Sequence, residues 1–339
     1  MNPMNQQIQL ASRPTGEPTV DNFRLVSTAV PELNPGQVLV HHHYLSLDPY
    51  MRGRMNDGKS YAKPQTLDEV MGGGTVGEVV LSRHAKFAVG DKVVGMGGWQ
   101  QYSVVNGDIS GVLRKVDDAV VPLSAYLGVL GMPGATAWVG LGQIIAPKDG
   151  ETVVVSAASG AVGSVVGQLA QVRGCRAVGI AGGAEKCAYV VKELGFDACI
   201  DYKAHRTVAE LGAALQEACP KGVDGYFDNV GGVILDAVMS RMNDFGRIAV
   251  CGMIAGYNGE VMALANPMLI LRSRLKMQGF IVGEYMQLWP AALKELGALV
   301  AAKRMKYRET VAMGLASAPE AFIGLLKGRN FGKQLVKLI

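Results

Sequence analysis

Gly160 and Gly163 are spaced to let a backbone turn tightly around a pyrophosphate. They lie in Ala158-Ser159-Gly160-Ala161-Val162-Gly163, an AxSGxxG form of the dinucleotide fingerprint with Ala158 at the usual first glycine. In such a turn Gly160 admits the anion close to the backbone and Gly163 lets the next helix pack against its strand. The anion rests on free N–H groups at the helix N-terminus, around Ala161 and Val162. The end of the following strand selects the cofactor, because an NAD site needs a carboxylate there for the ribose 2′-hydroxyl. Here that place holds Gly182 and Gly183, with Lys186 just beyond. Glycine leaves room for a 2′-phosphate and lysine neutralises it, so NADP(H) is expected. Glu185, past the strand end, remains the alternative as an NAD ribose ligand.

The flanking residues supply the elements this turn needs. Thr152 to Val155 is a β-branched run typical of a strand buried on both faces. Val165, Val166, Leu169 and Val172 recur at helical spacing, Gly174 closes that helix, and Ala177 to Ala181 reads as a second strand. Ala198 to Asp201, Val223 to Asp228 and Arg247 to Cys251 are further strands, with a helix from His205 to about Cys219. This alternation predicts a doubly wound parallel sheet. Ligands on such sheets gather at the carboxyl ends of the strands, here Gly182, Tyr202, Asn229 and Cys251-Gly252. The last end runs into Met253 to Asn258, a loop carrying Tyr257. A phenol there stays protonated at neutral pH and can donate to a developing oxyanion.

Residues 1–125 look β-rich, with strand-like runs at Gln37 to Val40, Val76 to Val80, Lys92 to Val94 and Trp99 to Val105. His41, His42 and His43 follow the first of these directly, and at most His41 and His43 share a face, so they read as strand residues rather than metal ligands. Tyr44 to Met55 is a strand entering an Asp48-Pro49 turn that presents Tyr50 and Arg52 as candidate substrate contacts, with a solvated turn as the competing explanation. Tyr61 falls in a loop, and Met71 to Gly77 permits close backbone approach. Pro290 to Lys303 reads as a long helix and Gly332 to Val336 as a closing strand that returns to the N-terminal domain. The domains expected are 1–125, 126–295 and a return segment, 296–339, that completes the first.

Composition bounds the function. With 49% hydrophobic and 18% charged residues, the 339-residue chain is globular and large enough for two domains. A net charge of +4 without a Lys/Arg block argues against nucleic-acid binding. The five cysteines all fall between Cys175 and Cys251 and match no CxxC metal spacing, which suits reduced thiols in the cytoplasm. The N-terminus lacks a secretory pattern, and glycine, proline or serine interrupts each long uncharged stretch, so no membrane span is expected.

DPYMRGRM, MPGATAW, AASGAVGS, GYFDNVGG, CGMIAGYN and RNFGK occur in that order. Together they resemble the zinc-independent medium-chain dehydrogenase/reductases, in the branch of prostaglandin reductases, alkenal double-bond reductases and bacterial curcumin reductases. The resemblance runs from about residue 5 to the C-terminus. It implies a GroES-like β-rich catalytic domain, a Rossmann cofactor domain, and NADPH-driven reduction of a carbon–carbon double bond conjugated to a carbonyl. By position it implies that Gly160 to Gly163 hold the pyrophosphate, and that Lys186 and Tyr202, beside Gly182, meet the 2′-phosphate. It places Asn229, Cys251, Gly252, Tyr257, Phe280, Ile281, Val282 and Asn330 at the nicotinamide end, and Tyr50, Tyr61 and Trp99 toward the substrate. Related enzymes often carry a 2′-phosphate-binding serine at Gly182-Gly183, so more of that task falls here to Lys186. Tyr257 is the first candidate for proton donor, with Tyr50 and Tyr61 behind it.

Catalytic zinc is not expected. The zinc alcohol dehydrogenases need a cysteine and a histidine from the β domain, whereas no cysteine precedes Cys175 and Met71-Gly72-Gly73-Gly74 replaces their Gly-His-Glu. Quinone reduction is the nearest alternative activity, since a quinone is also an enone. The non-enzymatic alternative is an NADPH-binding structural or RNA-associated protein. A homodimer acting on a small enone or enal is expected.

Overall fold

The computed structural model describes residues 4–109 and 111–339, which fold as two units: one running to Leu127 and resuming at Glu309–Ile339, the other Gly128–Arg308. The first unit opens with a hairpin that local patterning does not announce, β1 (Met4–Leu10) antiparallel to β2 (Phe23–Ala29). β3 (Gln37–Ser46) follows, then a short helix α1 (Tyr50–Arg54), β4 (Thr75–Ser82), β5 (Lys92–Gly95), β6 (Tyr102–Asn106) and β7 (Leu113–Lys115).

β3 organises this unit, pairing antiparallel with β4 and β6. Its pairing with β4 is irregular around His42, and a Cβ on Gly77 would lie 2.1 Å from the His41 carbonyl oxygen. Glycine is therefore required at Gly77 by a neighbouring strand. His42 is buried, with Nε2 2.8 Å from Ser103 Oγ, and desolvation holds its pKa down to about 3. The His41 ring stacks on Tyr102 with centroids 4.3 Å apart. Among the described residues no group of three His, Cys, Asp or Glu side chains is placed to hold a metal.

The second unit begins with α2 (Met132–Val139), which has proline in its first turn. β8 (Thr152–Ser156), α3 (Gly163–Val172), β9 (Arg176–Ala181), α4 (Ala184–Lys192) and β10 (Ala198–Asp201) follow. Then come α5 (Val208–Ala218), β11 (Val223–Asp228), α6 (Gly232–Met239), β12 (Met242–Val250), α7 (Met268–Arg272), β13 (Lys276–Gly279) and α8 (Trp289–Ala301). The six-stranded sheet has the order β10-β9-β8-β11-β12-β13 and every pairing in it is parallel. The chain winds outward from β8 in one direction and from β11 in the other, so the order reverses between them. That reversal opens the crevice in which such sheets take ligands. Val153, Val154 and Val155 are fully buried at its centre. α8 runs through position 295, where a domain boundary was expected, and the unit continues to Arg308.

The chain then re-enters the first unit with β14 (Glu309–Met313), α9 (Ala318–Leu326) and β15 (Lys333–Lys337). β15 lies parallel to β14 and antiparallel to β3, giving a sheet of order β14-β15-β3-β4-β5-β7. Lys333 Nζ reaches Asp48 Oδ1 at 2.8 Å and the Leu47 carbonyl at 2.7 Å, with both charged side chains buried. The RNFGK and DPYMRGRM motifs are thereby joined. No helix among the described residues is long and apolar enough to cross a membrane.

Candidate active site

The fingerprint turn follows β8. Ala157 takes a left-handed conformation, φ 49°, and its carbonyl accepts from Gly160 N at 2.9 Å. A Cβ on Gly163 would lie 2.4 Å from that carbonyl oxygen and 3.0 Å from Ala158 Cα, so α3 approaches the turn only because Gly163 has no side chain. The methyl of Ala158, in place of the usual glycine, fits because β9 offers Gly179 opposite; a Cβ on Gly179 would stand 2.8 Å from it. No side chain caps the N-terminus of α3, where Ser164 N and Val165 N donate to the Gly160 and Val162 carbonyls of the turn, each at 3.0 Å.

At the carboxyl ends of β8, β11 and β12 a polar network sets the next loops. Asn229 Nδ2 donates to the Ser156 carbonyl at 2.7 Å, and its backbone N–H donates to Ser156 Oγ at 2.9 Å. Asp228 Oδ1 accepts from Tyr226 OH at 2.8 Å, Gly231 N at 2.9 Å and Val230 N at 3.0 Å. Burial pushes the Asp228 carboxyl above its ordinary pKa, and Oδ2 has no hydrogen-bond partner. Cys251 and Gly252 both donate backbone N–H to the Asp228 carbonyl, and Ala255 N donates to the Val230 carbonyl. These bonds hold the 251–257 loop beside Asn229. The Tyr257 hydroxyl lies over Gly252, 3.1 Å from where a Cβ would stand, so the phenol sits at the carboxyl edge of the sheet. Burial, then the Asp228 charge, raises the Cys251 thiol to about 12, which makes it a poor nucleophile.

The Phe280 ring packs inward, 6.1 Å from Phe227 between centroids and close against Gly140, leaving backbone as what Phe280 can offer a ligand. Ile281 and Val282 follow it, half-buried.

At the end of β9 the Tyr202 ring covers Gly182, whose Cβ would meet Tyr202 Cε1 at 2.8 Å. The one carboxylate at the end of β10, Asp201, is taken up by backbone: its Oδ1 accepts from Gly183 N at 2.7 Å and Lys203 N at 2.9 Å. Lys186 is half-buried in the first turn of α4, and desolvation, followed by the nearby charge of Lys203, lowers its pKa. Two ammonium groups converge here, and Glu185 beside them is exposed. A bound dianion relieves that repulsion. Local pattern singled out Lys186 but missed Lys203; its signal was a second lysine immediately after Tyr202 at a strand end.

In the first unit Tyr50 opens α1 with the Arg54 guanidinium 5.1 Å from its ring centroid. Burial, then Asp48, pushes its hydroxyl pKa well up. Tyr61 is 60% exposed. Two expectations are corrected. Arg52, expected near a substrate, is buried and donates to the Gly16 carbonyl and Asn56 Oδ1, each at 2.7 Å, because the turn of α1 aims it back into its own unit. Trp99, expected to face the substrate, is fully buried in the core, stacked on Phe23 at 5.4 Å and edge-on to Phe322 at 5.6 Å. Asn330 is half-buried and turns its amide to the Gly332 carbonyl at 2.7 Å.

Family profiles match in the same order as the two units. Residues 6–112 match one described as an N-terminal domain of oxidoreductase, and 161–298 match one described as a zinc-binding dehydrogenase. The NADPH-dependent curcumin reductase of Escherichia coli is 46% identical, over 98% of this chain and 97% of its own. The NADP-dependent 2-alkenal reductase of Nicotiana tabacum is 44% identical, over 98% of this chain and 97% of its own. The chain belongs to the medium-chain dehydrogenase/reductases, in the branch of curcumin, alkenal and prostaglandin reductases. The crystal structure of CurA from Vibrio vulnificus in complex with NADPH superposes with a TM-score of 0.92 at 45% identity, covering 98% of this chain and 99% of that one. Although one profile is described by zinc, this member of the family lacks the ligands: no cysteine precedes Cys175, and Gly72 to Gly74 occupy the stretch where a histidine would be needed.

Proposed function

We propose that this chain reduces the carbon–carbon double bond of α,β-unsaturated aldehydes and ketones with NADPH. The observation that carries the reading is the Tyr257 hydroxyl held over Gly252 at the carboxyl edge of the cofactor-type sheet. NADPH, when bound, supplies hydride to the β-carbon. Gly160 to Gly163 and the uncapped start of α3 hold its pyrophosphate, while Lys186 and Tyr202 over Gly182 hold the 2′-phosphate. Asn229, Cys251, Gly252 and the backbone of Phe280 to Val282 bound the nicotinamide end, to which Asn330 is also assigned. Tyr257 donates a hydrogen bond to the enolate oxygen, stabilising charge that develops only in the transition state. Tyr50 and Tyr61 stand as alternative donors.

The unit built on β3 is assigned the substrate, and the unit built on β8 the cofactor. A cytoplasmic homodimer fits the five free thiols, the open edge of β13 and the exposed Met268 and Leu271 of α7. Sedimentation should give twice the 35.9 kDa chain mass. The decisive test is NADPH oxidation against short alkenals, aryl enones and quinones with product analysis. A saturated carbonyl is the expected product. Turnover of quinones to semiquinones, with none of any enone, would overturn the proposal.

A further inference from the structure

Two of the five cysteines meet outside the chemistry described so far. Cys187 lies in α4 and Cys199 in β10, with their sulfurs 3.1 Å apart and both side chains half-buried. Gly179 of β9 makes the meeting possible: a Cβ there would crowd Val190 Cγ1 at 2.9 Å and Cys199 Sγ at 3.3 Å, so the absent side chain lets α4 settle onto β10. The hydrogen bond from Cys199, opposed by desolvation, lowers the Cys187 thiol below its ordinary pKa. Cys175 and Cys219 are buried, and desolvation raises both, as it does Cys251. One thiol is thus primed for oxidation, with a second already beside it to resolve the product.

We propose that Cys187 and Cys199 form a peroxide-sensitive modification site whose closure to a disulfide weakens the grip on the cofactor's 2′-phosphate. Hydrogen peroxide oxidises the Cys187 thiol to a sulfenic acid by two electrons and is itself reduced to one water. The Cys199 sulfur then attacks that sulfur, gives up its proton and expels the hydroxyl as a second water. Two thiols and one peroxide become one disulfide and two waters. The sulfurs must close from 3.1 Å to about 2.05 Å, which draws α4 and β10 together. Lys186 precedes Cys187 directly, and Tyr202 and Lys203 follow β10. The disulfide therefore strains the residues assigned to the 2′-phosphate, a consequence that rests on the proposed cofactor site, whereas the cross-link itself does not.

The test uses the full-length enzyme, reduced and then treated with one equivalent of hydrogen peroxide, blocked with N-ethylmaleimide and mapped by mass spectrometry. A Cys187–Cys199 cross-linked peptide should form first, with Cys175, Cys219 and Cys251 alkylated. The KM for NADPH should rise about three- to tenfold and that for NADH stay level, reversed by dithiothreitol. Cys199→Ser should abolish both the cross-link and the shift. Absence of the cross-link, or oxidation of the other three cysteines at the same rate, would refute the site. A cross-link with unchanged KM values would refute its effect on the cofactor. If the reduced enzyme shows no preference for NADPH over NADH, the cofactor assignment fails and with it the predicted effect, while the peptide map still decides the site.

Discussion

Lys186→Ala is the perturbation that bears most directly on the cofactor assignment. A charge-assisted hydrogen bond is worth roughly 1.5–3 kcal/mol. Lys186 is only half-buried, so solvent screens it, and Lys203 remains to hold part of the phosphate charge. The loss should therefore fall in the lower half, about 1.5–2 kcal/mol, which is about ten- to thirtyfold in KM for NADPH. NADH has no 2′-phosphate and should be unaffected, which makes it the internal control. The assay is steady-state kinetics of both cofactors against one enone, at low and high salt; added salt should shrink the wild-type preference. pH gives an independent signature. Desolvation and Lys203 lower the Lys186 pKa, so its ammonium is lost at lower pH than an ordinary lysine's and KM for NADPH should climb there, with NADH flat. Equal losses for both cofactors would make Lys186 a structural residue. No loss for either would put the 2′-phosphate elsewhere.

Tyr257→Phe keeps the ring and removes only the hydroxyl; turnover with an enone should fall about ten- to a hundredfold with KM for NADPH and Tm little changed, and wild-type turnover would pass the donor role to Tyr50 or Tyr61. Lys333→Met strands Asp48 in a buried site and should cost about 3–5 kcal/mol in urea denaturation of the first unit's transition, whereas a loss below about 1 kcal/mol would mean the pair is not the tie it looks to be. Asp228→Asn tests the raised carboxyl. Folding favours its protonated form, so this group's stabilising contribution is full below about pH 4 and is lost as pH rises through the elevated folded pKa. The asparagine variant should show a flatter decline in stability across that window, and an unchanged pH profile would contradict the assignment.

Local spacing alone determined the strand–turn–helix–strand unit around Gly160, because the apolar repeats of β8, α3 and β9 and the glycines between them act within a few residues of one another. The parallel sheet followed from strands alternating with helices, and the choice of NADP(H) from a glycine pair where a carboxylate would otherwise stand. The β1–β2 hairpin was not legible, since MNQQIQL alternates polar residues with few β-formers and its partner strand lies beyond an irregular connection. Neither were the fates of Arg52 and Trp99. Their types suit a substrate pocket, but which way each points depends on the turn of α1 and on Phe23 and Phe322, which come from distant parts of the chain. The Asp48–Lys333 pair spans 285 positions and the Cys187–Cys199 pair joins a helix to a strand. No period in a sequence encodes such meetings; they are decided when strand order and helix packing bring the backbones together, and glycines such as Gly179 and Gly77 record in the sequence only that something must come close, not what it is.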